Sequence, residues 1–230
     1  MEKKKLVVLT GAGISAESGL QTFRDSQNGL WNGYDVNDVA SFDGWLRDKE
    51  NVLEFYNMRR REALKAEPNR AHKMLAEMEE EFEVHIITQN IDDLHERAGS
   101  TKVTHLHGEI LKMKSEKNPR LISSIRGDIR LGDLAEDGQQ WRPHVVWFGE
   151  EVPMMERAME IASTCEIFAV IGTSLQVYPA ASLLHYVPHG AKVFIIDREI
   201  PQITRPNVVE IEEPATTGVA KMWEQLKNPV

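Results

Sequence analysis

The chain has 230 residues, of which 41% are hydrophobic and 27% charged, and its formal net charge is −9. This length can bury a large core, and the acidic charge argues against nonspecific binding to nucleic acid or to an anionic membrane surface. Because the chain has a single cysteine, Cys165, an internal disulfide and a multi-cysteine metal site are excluded. We expect a buried thiol and a cytoplasmic protein.

Short apolar runs rich in β-branched residues predict buried strands. They are 6–9, 84–88, 167–172 and 192–197. Helical stretches at 69–82 and 179–187 lie between them. This alternation predicts an α/β fold with a Rossmann-like, doubly wound parallel sheet.

Two segments interrupt the alternation. Residues 35–67 read as helical without a buried strand, and residues 109–142 are charged and irregular with glycine turns. We expect them to form an inserted smaller lobe. The remaining segments, 1–34, 68–108 and 143–230, should form the Rossmann-like domain.

A glycine-rich turn follows the first strand. Its GxGxxA pattern consists of Gly11, Ala12, Gly13, Ile14, Ser15 and Ala16. Such a turn lets the backbone approach a pyrophosphate, although a plain strand-to-helix turn is the alternative. The acidic residue usual about twenty positions later is missing. In its place lies a long loop that contains Phe23, Arg24 and Trp31, and loops of this length are commonly functional.

Polar residues follow the other strands, where open α/β sheets bind ligands. After the second strand these are Gln89, Asn90, Ile91 and Asp92; after the third and fourth they are Gly172, Thr173, Ser174, Asp197, Arg198 and Glu199. Amides and carboxylates suit a carboxamide and ribose hydroxyls. The alternative for Asn90 and Asp92 is a cap on the next helix.

The segment 103–109 contains two histidines. If it is extended, His105, His107 and Glu109 share one face and could bind a metal ion. A single imidazole acting as general base is the alternative, and His107, next to Gly108, suits it better than His105. Residues 142–150 form an extended apolar run that could present a backbone edge to a peptide.

The motifs GAGISAESGLQTFRD, TQNID, HGE, RPHVVWFGE and GTS, in this order, resemble those of the sirtuins, the NAD-dependent protein-lysine deacylases. The resemblance extends over nearly the whole chain. It implies an enzyme that uses NAD to remove acyl groups from lysines of proteins or peptides. The acyl oxygen attacks the nicotinamide ribose, and the products are free lysine, nicotinamide and O-acyl-ADP-ribose.

The resemblance also assigns roles to residues. His107 deprotonates a ribose hydroxyl, Asn90 and Asp92 position the nicotinamide, and Gln89 orients the ribose. The residues expected to contact NAD are Gly11, Ala12, Gly13, Ile14, Ser15, Ala16, Phe23, Arg24, Trp31, Gln89, Asn90, Ile91, Asp92, Gly172, Thr173, Ser174, Asp197, Arg198, Glu199 and Ala215. Those expected to contact the substrate are Ala40, Tyr56, Arg59, Val146, Trp147, Phe148, Gly149 and Glu150.

The chain departs from the family pattern twice. Most sirtuins hold a structural zinc with two CxxC pairs, but 109–142 contains no cysteine, so we expect no zinc. Apolar side chains should instead hold the lobe by packing: Leu111, Leu121, Ile122, Ile125, Ile129, Leu131 and Leu134. The second departure is Asp197, where the family often has asparagine, which leaves the adenosine contacts open.

Tyr56 and Arg59 are spaced i,i+3 on a predicted helix, so both can face one ligand. A phenol and a guanidinium can bind a carboxylate. The pair resembles the Tyr-x-x-Arg signature of sirtuins that remove succinyl, malonyl or glutaryl groups, and Ala40 resembles the small residue that leaves their acyl pocket roomy. The alternative is an ordinary helix with Tyr56 in the core and Arg59 in solvent.

Three rival functions remain. They are an inactive NAD or ADP-ribose sensor, a sirtuin-like ADP-ribosyltransferase and, more distantly, a metal-dependent hydrolase built on His105, His107 and Glu109. The sequence leaves the oligomeric state, the protein substrates and the order of acyl preference open.

Overall fold

The computed structural model describes residues 3–21, 30–31, 33–203 and 205–228, with only the backbone of residues 30 and 31. The strands in these ranges are β1 (Lys5–Thr10), β2 (Leu30–Trp31), β3 (Tyr34–Asp35), β4 (Glu83–Thr88), β5 (Val103–His105), β6 (Gly108–Ser115), β7 (Ile122–Ser124), β8 (Trp141–Val145), β9 (Ile167–Ile171), β10 (Lys192–Asp197) and β11 (Val208–Glu212). The α-helices are α1 (Gly13–Ala16), α2 (Val36–Val39), α3 (Phe42–Arg47), α4 (Lys49–Lys65), α5 (Arg70–Glu77), α6 (Leu94–Ala98), α7 (Met155–Ser163) and α8 (Ala215–Lys227).

The main sheet has six parallel strands in the order β11-β10-β9-β1-β4-β5. Its four central strands are the four apolar runs of the sequence, and every residue of β9 is buried. A strand covered on both faces needs no polar alternation, which is why these runs are continuous. The Rossmann-like α/β prediction is confirmed. The two edge strands, β5 and β11, were missed because one is short and the other is interrupted by charges.

Helices cover both faces of this sheet. Successive side chains of a strand point to opposite faces, so Leu6 packs in the cluster that contains Leu75 of α5 and Met222 of α8. Val7 packs on the other face, against α7 and the 3₁₀ turn at Ala180–His185. The predicted helix over 179–187 is therefore this shorter turn.

The predicted helix over 69–82 is also shorter in the structure. It begins with α5 and continues as a 3₁₀ turn at Met78–Glu80. Asn69 caps it, since its side chain accepts hydrogen bonds from the amides of Ala71 and His72. Cys165 is buried, and burial raises the pKa of its thiol to about 11. No helix in the described ranges is long and apolar enough to cross a membrane.

The segment 109–142 is more regular than its sequence indicates. It supplies most of an antiparallel sheet in the order β7-β6-β8, with a register shift between Gly108 and Met113. Lysines alternate with apolar residues in β6, which masks the strand pattern. Helix α4 packs against this sheet, and the shared core includes Trp45, Phe55, Ile110 and Trp147. The predicted boundary between residues 142 and 143 falls inside β8, and the division into two lobes stays a prediction.

The expected leucine and isoleucine packing of this lobe is wrong in part. Ile129 is buried, but Ile122, Leu131 and Leu134 are 43%, 58% and 59% exposed. Leu111 and Ile125 are only partly buried against the core.

A buried polar network holds the segment instead. The wholly buried Arg60 donates from Nε to the Ile110 carbonyl (2.9 Å) and from Nη1 to Asn57 Oδ1 (2.8 Å). The Asn57 amide in turn bonds both the carbonyl and the N–H of Ile129, each at 2.9 Å. These bonds replace part of the hydration that the buried guanidinium loses, while its Nη2 has no hydrogen-bond partner among the described residues. Thus α4 anchors the 127–129 segment through polar groups as well as packing.

Candidate active site

The carboxyl ends of β1, β4, β9 and β10 open onto a cavity of about 600 Å³. This is where open parallel sheets bind ligands, and the volume lies in the range of cofactor sites. Residues 145–150, at and after the end of β8, and three side chains of 40–59 also line the cavity. The cavity therefore lies between the parallel sheet and the segment 35–67, one of the two predicted to form the smaller lobe.

The glycine-rich turn is seated against the end of β9. A Cβ atom on Gly13 would lie 2.6 Å from Gly172 Cα, and one on Gly11 would lie 2.6 Å from Thr173 Cβ. The Gly13 amide donates to the Gly172 carbonyl at 2.9 Å. Larger side chains would force the turn away from β9. The glycines therefore set the backbone shape of this cavity wall.

Asn90 and Asp92 are tied to that turn. Asn90 Nδ2 donates to the Gly11 carbonyl and to Ser15 Oγ, both at 3.1 Å, and Ser15 Oγ donates to Asp92 Oδ2 at 3.2 Å. Burial raises the pKa of Asp92. The N-cap residue of α6 is Asp93, but Asp92 Oδ1 accepts from the amide of Leu94, the first residue of that helix, whereas the Asn90 side chain bonds the turn.

His107 lines the cavity as a neutral base. Its Nδ1 lies 3.0 Å from the Gln89 carbonyl. A carbonyl can only accept, so Nδ1 carries the proton. Burial lowers the pKa of His107, which keeps the ring neutral near pH 7. The lone pair on Nε2 is then the group that can take a proton from a ligand.

His105 differs from His107 in its partners. Its Nδ1 lies 3.0 Å from the Asn90 carbonyl and its Nε2 lies 2.8 Å from Glu96 Oε1. Burial opposes a charge on His105, but the Glu96 carboxylate outweighs it and raises the pKa. Glu109 pairs with Lys112 at 2.8 Å. Within the part of the chain that the structure describes, no three His, Cys, Asp or Glu residues are grouped to hold a metal ion.

Gln89 lines the same cavity and has an unpaired donor. Its Nε2 is buried and has no hydrogen-bond partner among the described residues. Buried polar groups without a partner are rare in folded proteins, and a ligand acceptor would satisfy this one. Opposite, Thr173 and Asp197 are buried, and Asp197 Oδ1 accepts from the Glu199 amide at 3.1 Å. Amide, hydroxyl and carboxylate groups around a glycine turn fit a dinucleotide such as NAD.

Tyr56 and Arg59 line the cavity together with Ala40. Tyr56 is 1% exposed, and burial raises the pKa of its phenol, so the hydroxyl keeps its proton. Arg59 is 9% exposed and pairs with Glu62 at 2.9 Å; burial lowers the pKa of its guanidinium. Arg59 therefore does not extend into solvent as the ordinary-helix alternative requires.

The segment 146–150 is held by an ion pair. Arg142 binds Glu150 through two bonds of 2.7 and 3.0 Å. The amides of Val146 and Phe148 donate to the carbonyls of His107 and Ala40, both at 2.9 Å. A peptide strand at this edge must therefore pair with the remaining backbone groups of the segment.

The Sir2 family model matches residues 11–179. The chain belongs to the Sir2 family. An NAD-dependent protein deacylase of Helicobacter pylori strain J99 is 50% identical over 224 residues, which covers 97% of this chain and 95% of that one. The deacylase of the same name from Bacteroides thetaiotaomicron is 49% identical over 230 residues, with 97% and 98% covered.

Solved Sir2 structures agree with this assignment. A Sir2 homologue in complex with NAD has a TM-score of 0.87 at 35% identity, with 98% of this chain and 90% of that chain covered. A Sir2–p53 peptide–NAD⁺ complex has a TM-score of 0.76 at 30% identity, with 98% and 95% covered. These similarities confirm the predicted family, the α/β fold, the use of NAD and the expectation of an NAD-dependent protein deacylase.

Most of the residues predicted for this Sir2 site line one cavity. Those expected at NAD that do so are Ala12, Gly13, Ser15, Ala16, Gln89, Asn90, Ile91, Asp92, Gly172, Thr173, Ser174, Asp197, Arg198, Glu199 and Ala215, and the predicted base His107 lines the cavity as well. All eight residues expected at the substrate line it too: Ala40, Tyr56, Arg59, Val146, Trp147, Phe148, Gly149 and Glu150. Their roles remain predictions.

Two predicted residues lie elsewhere. Gly11 packs behind the cavity wall against Thr173, and Ile14 is in the core of the main sheet. Ile14 points inward because its position in the short α1 faces Leu6 and its neighbours. Phe23, Arg24 and the side chain of Trp31 lie outside the described residues.

The sequence reasoning missed several lining residues. Leu20 and Gln21 follow the glycine turn, Val145 and Val152 flank the 146–150 segment, Val177, Tyr178 and Pro179 follow Ser174, and Ile196, Glu213 and Pro214 border the last two strands. Glu213 and Pro214 come directly after β11. Had that edge strand been predicted, the rule that ligands bind at carboxyl ends would have identified them.

Proposed function

We propose that this Sir2-family enzyme removes dicarboxylic acyl groups, succinyl and malonyl above all, from lysines of proteins, with acetyl as a poorer substrate. The observation that carries the proposal is a buried arginine and a buried tyrosine, Arg59 and Tyr56, in the same cavity as His107. Glutaryl belongs to the same chemical class. Ala40, which lines the same cavity, is small and would leave room for a chain longer than acetyl.

A carboxylate is the ligand group that suits this environment. Arg59 stays charged even where burial lowers its pKa, and a buried charge is costly without an oppositely charged partner. Its partner Glu62 lies at the surface side, with 41% of its side chain exposed. A carboxylate at the end of an acyl chain would add charge-assisted bonds from Arg59 and Tyr56. The methyl group of acetyl-lysine cannot accept such hydrogen bonds.

We assign the proton transfer to His107. Its neutral ring is held by the Gln89 carbonyl, so that Nε2 can accept the proton of a ribose hydroxyl. Asn90 and Asp92 would position the nicotinamide end, and Gln89 Nε2 would bond the ribose. The Thr173, Ser174 and Asp197 side would hold the remaining ribose and phosphate groups. NAD, when bound, supplies the ADP-ribose that receives the acyl group.

We expect the acyl-lysine to arrive on an extended peptide along residues 146–149. The similarity to the Sir2–p53 peptide–NAD⁺ complex supports a protein or peptide substrate. The lobes would meet at this cavity, with 35–67 and 109–142 as the smaller lobe. A cytoplasmic location is part of the proposal and depends on the single, buried cysteine alone.

Peptides of one sequence that carry succinyl, malonyl, glutaryl or acetyl lysine test the proposal. Each is incubated with the enzyme, with and without NAD, and nicotinamide release is measured. We expect NAD-dependent release with a higher kcat/KM for the dicarboxylic groups. Acetyl as the best substrate would contradict the acyl assignment. Release without any acyl peptide, with ADP-ribose attached to protein, would instead indicate an ADP-ribosyltransferase, and no release with any peptide would indicate a sensor.

A further inference from the structure

Tyr56 is bonded to a tryptophan 91 residues away in sequence. Trp147 Nε1 donates a hydrogen bond to Tyr56 Oη at 3.0 Å, and both side chains are buried. An indole N–H can only donate, so the phenol oxygen accepts in this bond. Tyr56 therefore retains its own O–H as the group that donates elsewhere.

Trp147 is itself held from three sides. The Arg142 guanidinium lies over its ring, with Cζ 3.3 Å from the ring centroid. Glu150, which is bound to Arg142, also accepts from the Trp147 backbone amide at 2.9 Å. Trp45 packs against the indole with ring centroids 5.5 Å apart. The indole N–H is thus directed at Tyr56 by a rigid support.

We infer that Trp147 is a positioning residue for acyl selectivity, which holds the Tyr56 hydroxyl so that its proton is directed to the carboxylate of a dicarboxylic acyl group. This rests on the proposed function, in which Tyr56 and Arg59 bind that carboxylate. A hydroxyl that already accepts a bond is also a stronger donor, because hydrogen bonds in a chain polarise one another. Burial raises the pKa of Tyr56, so the hydroxyl keeps the proton it donates at neutral pH.

Three variants separate the effect of the indole N–H on selectivity from the effect of the ring shape. In Trp147→Phe the N–H is lost while an aromatic ring remains under Arg142. Tyr56→Phe removes the hydroxyl on which Trp147 acts. Trp45→Phe is the matched control, since it removes an indole N–H of the same cluster that bonds Glu116, at 3.2 Å, and not Tyr56.

The measurement is the ratio of kcat/KM for succinyl-lysine to that for acetyl-lysine in peptides of one sequence. We expect Trp147→Phe to lower this ratio about three- to tenfold, through KM for the succinyl peptide, as the loss of one neutral hydrogen bond predicts. Trp45→Phe should leave the ratio unchanged. The double variant Tyr56→Phe/Trp147→Phe should match Tyr56→Phe alone, because Trp147 then has no hydroxyl to orient.

Each other outcome refutes a different claim. If Trp147→Phe leaves the ratio unchanged while Tyr56→Phe lowers it, the inference is wrong and the proposed function stands. The same holds if Trp147→Phe lowers the ratio by one factor in the wild-type enzyme and in the Tyr56→Phe variant. If Tyr56→Phe and Arg59→Met both leave the ratio unchanged, the proposed function itself is wrong. Should Trp147→Phe unfold, replacing Trp147 with benzothienylalanine keeps the bicyclic ring without the N–H and gives the same test.

Discussion

Replacing Arg59 with methionine removes the charge that we propose binds the acyl carboxylate. Methionine keeps a long, flexible chain that can fill the space of the arginine stem. The change leaves Glu62 without this ion-pair partner, but 41% of the Glu62 side chain is exposed, so water can solvate the carboxylate. Because the substitution removes the buried charge and leaves only the exposed one, no buried charge of this pair remains unpaired, and we expect little loss of stability.

Arg59→Met should affect catalysis more than it affects stability. A hydrogen bond to a charged group contributes about 1.5–3 kcal/mol, and each 1.4 kcal/mol is about tenfold. Arg59→Met should therefore lower the succinyl-to-acetyl ratio of kcat/KM by about ten- to a hundredfold. The assay is nicotinamide release with paired succinyl and acetyl peptides across a range of peptide concentrations.

Arg61→Met is the matched control. Arg61 lies on the same helix, is half-exposed, pairs with Glu54 and Asp128, both at 2.8 Å, and does not line the cavity. It should not change the ratio. If Arg59→Met lowered both activities by one factor, Arg59 would be a structural residue of α4, and the specificity proposal would be refuted while the deacylase assignment remained.

Other predictions concern the base and the lobe. His107→Ala should reduce turnover by about a hundredfold or more, while calorimetry still detects NAD binding, because the glycine turn is untouched. Wild-type turnover would remove His107 from the mechanism. Since burial lowers the pKa of His107 and the neutral ring is the base, kcat/KM should fall with acid only below about pH 6.5, the usual histidine value. An acid limb above that pH would contradict this. Metal analysis should find no stoichiometric zinc, and chelators should leave the Tm unchanged; one zinc per chain would mean that histidines elsewhere form a site. Arg60→Met should lower the free energy of unfolding by about 1–3 kcal/mol in urea titrations, because the buried Ile110 carbonyl loses its bond from Arg60 and Asn57 Oδ1 keeps only the Ile129 amide as a donor. A Tm equal to wild type would show that packing alone holds the lobe.

Much of the site could be predicted because its signals are local in sequence. The four central strands are continuous apolar runs, since both faces of the sheet are covered, and their polar ends necessarily meet at one edge. Only glycine fits at Gly13 and Gly172, where two backbone segments are in contact, and these glycines can be recognised in the sequence motifs. The Tyr56 and Arg59 spacing is likewise local, because one helical turn brings them to one side.

The smaller lobe could not be predicted in the same way. Its strand β6 carries lysines among apolar residues, so neither a helical nor a strand period stands out. Leu131 and Leu134 look like core residues but are exposed, whereas the nearby Ile129 is buried and its backbone is bonded by Asn57, about seventy residues earlier.

The sequence by itself therefore determined the fold class, the family and the set of polar residues that gather at the strand ends. Only the tertiary structure decided that the pKa of His105 is raised and that of His107 lowered, since Glu96 lies beside His105 and burial without a carboxylate partner among the described residues acts on His107. It also decided what Tyr56 bonds, because Trp147 is 91 residues away. Strand runs and turns follow from interactions between near neighbours, whereas protonation states and hydroxyl orientation follow from partners that only folding brings together.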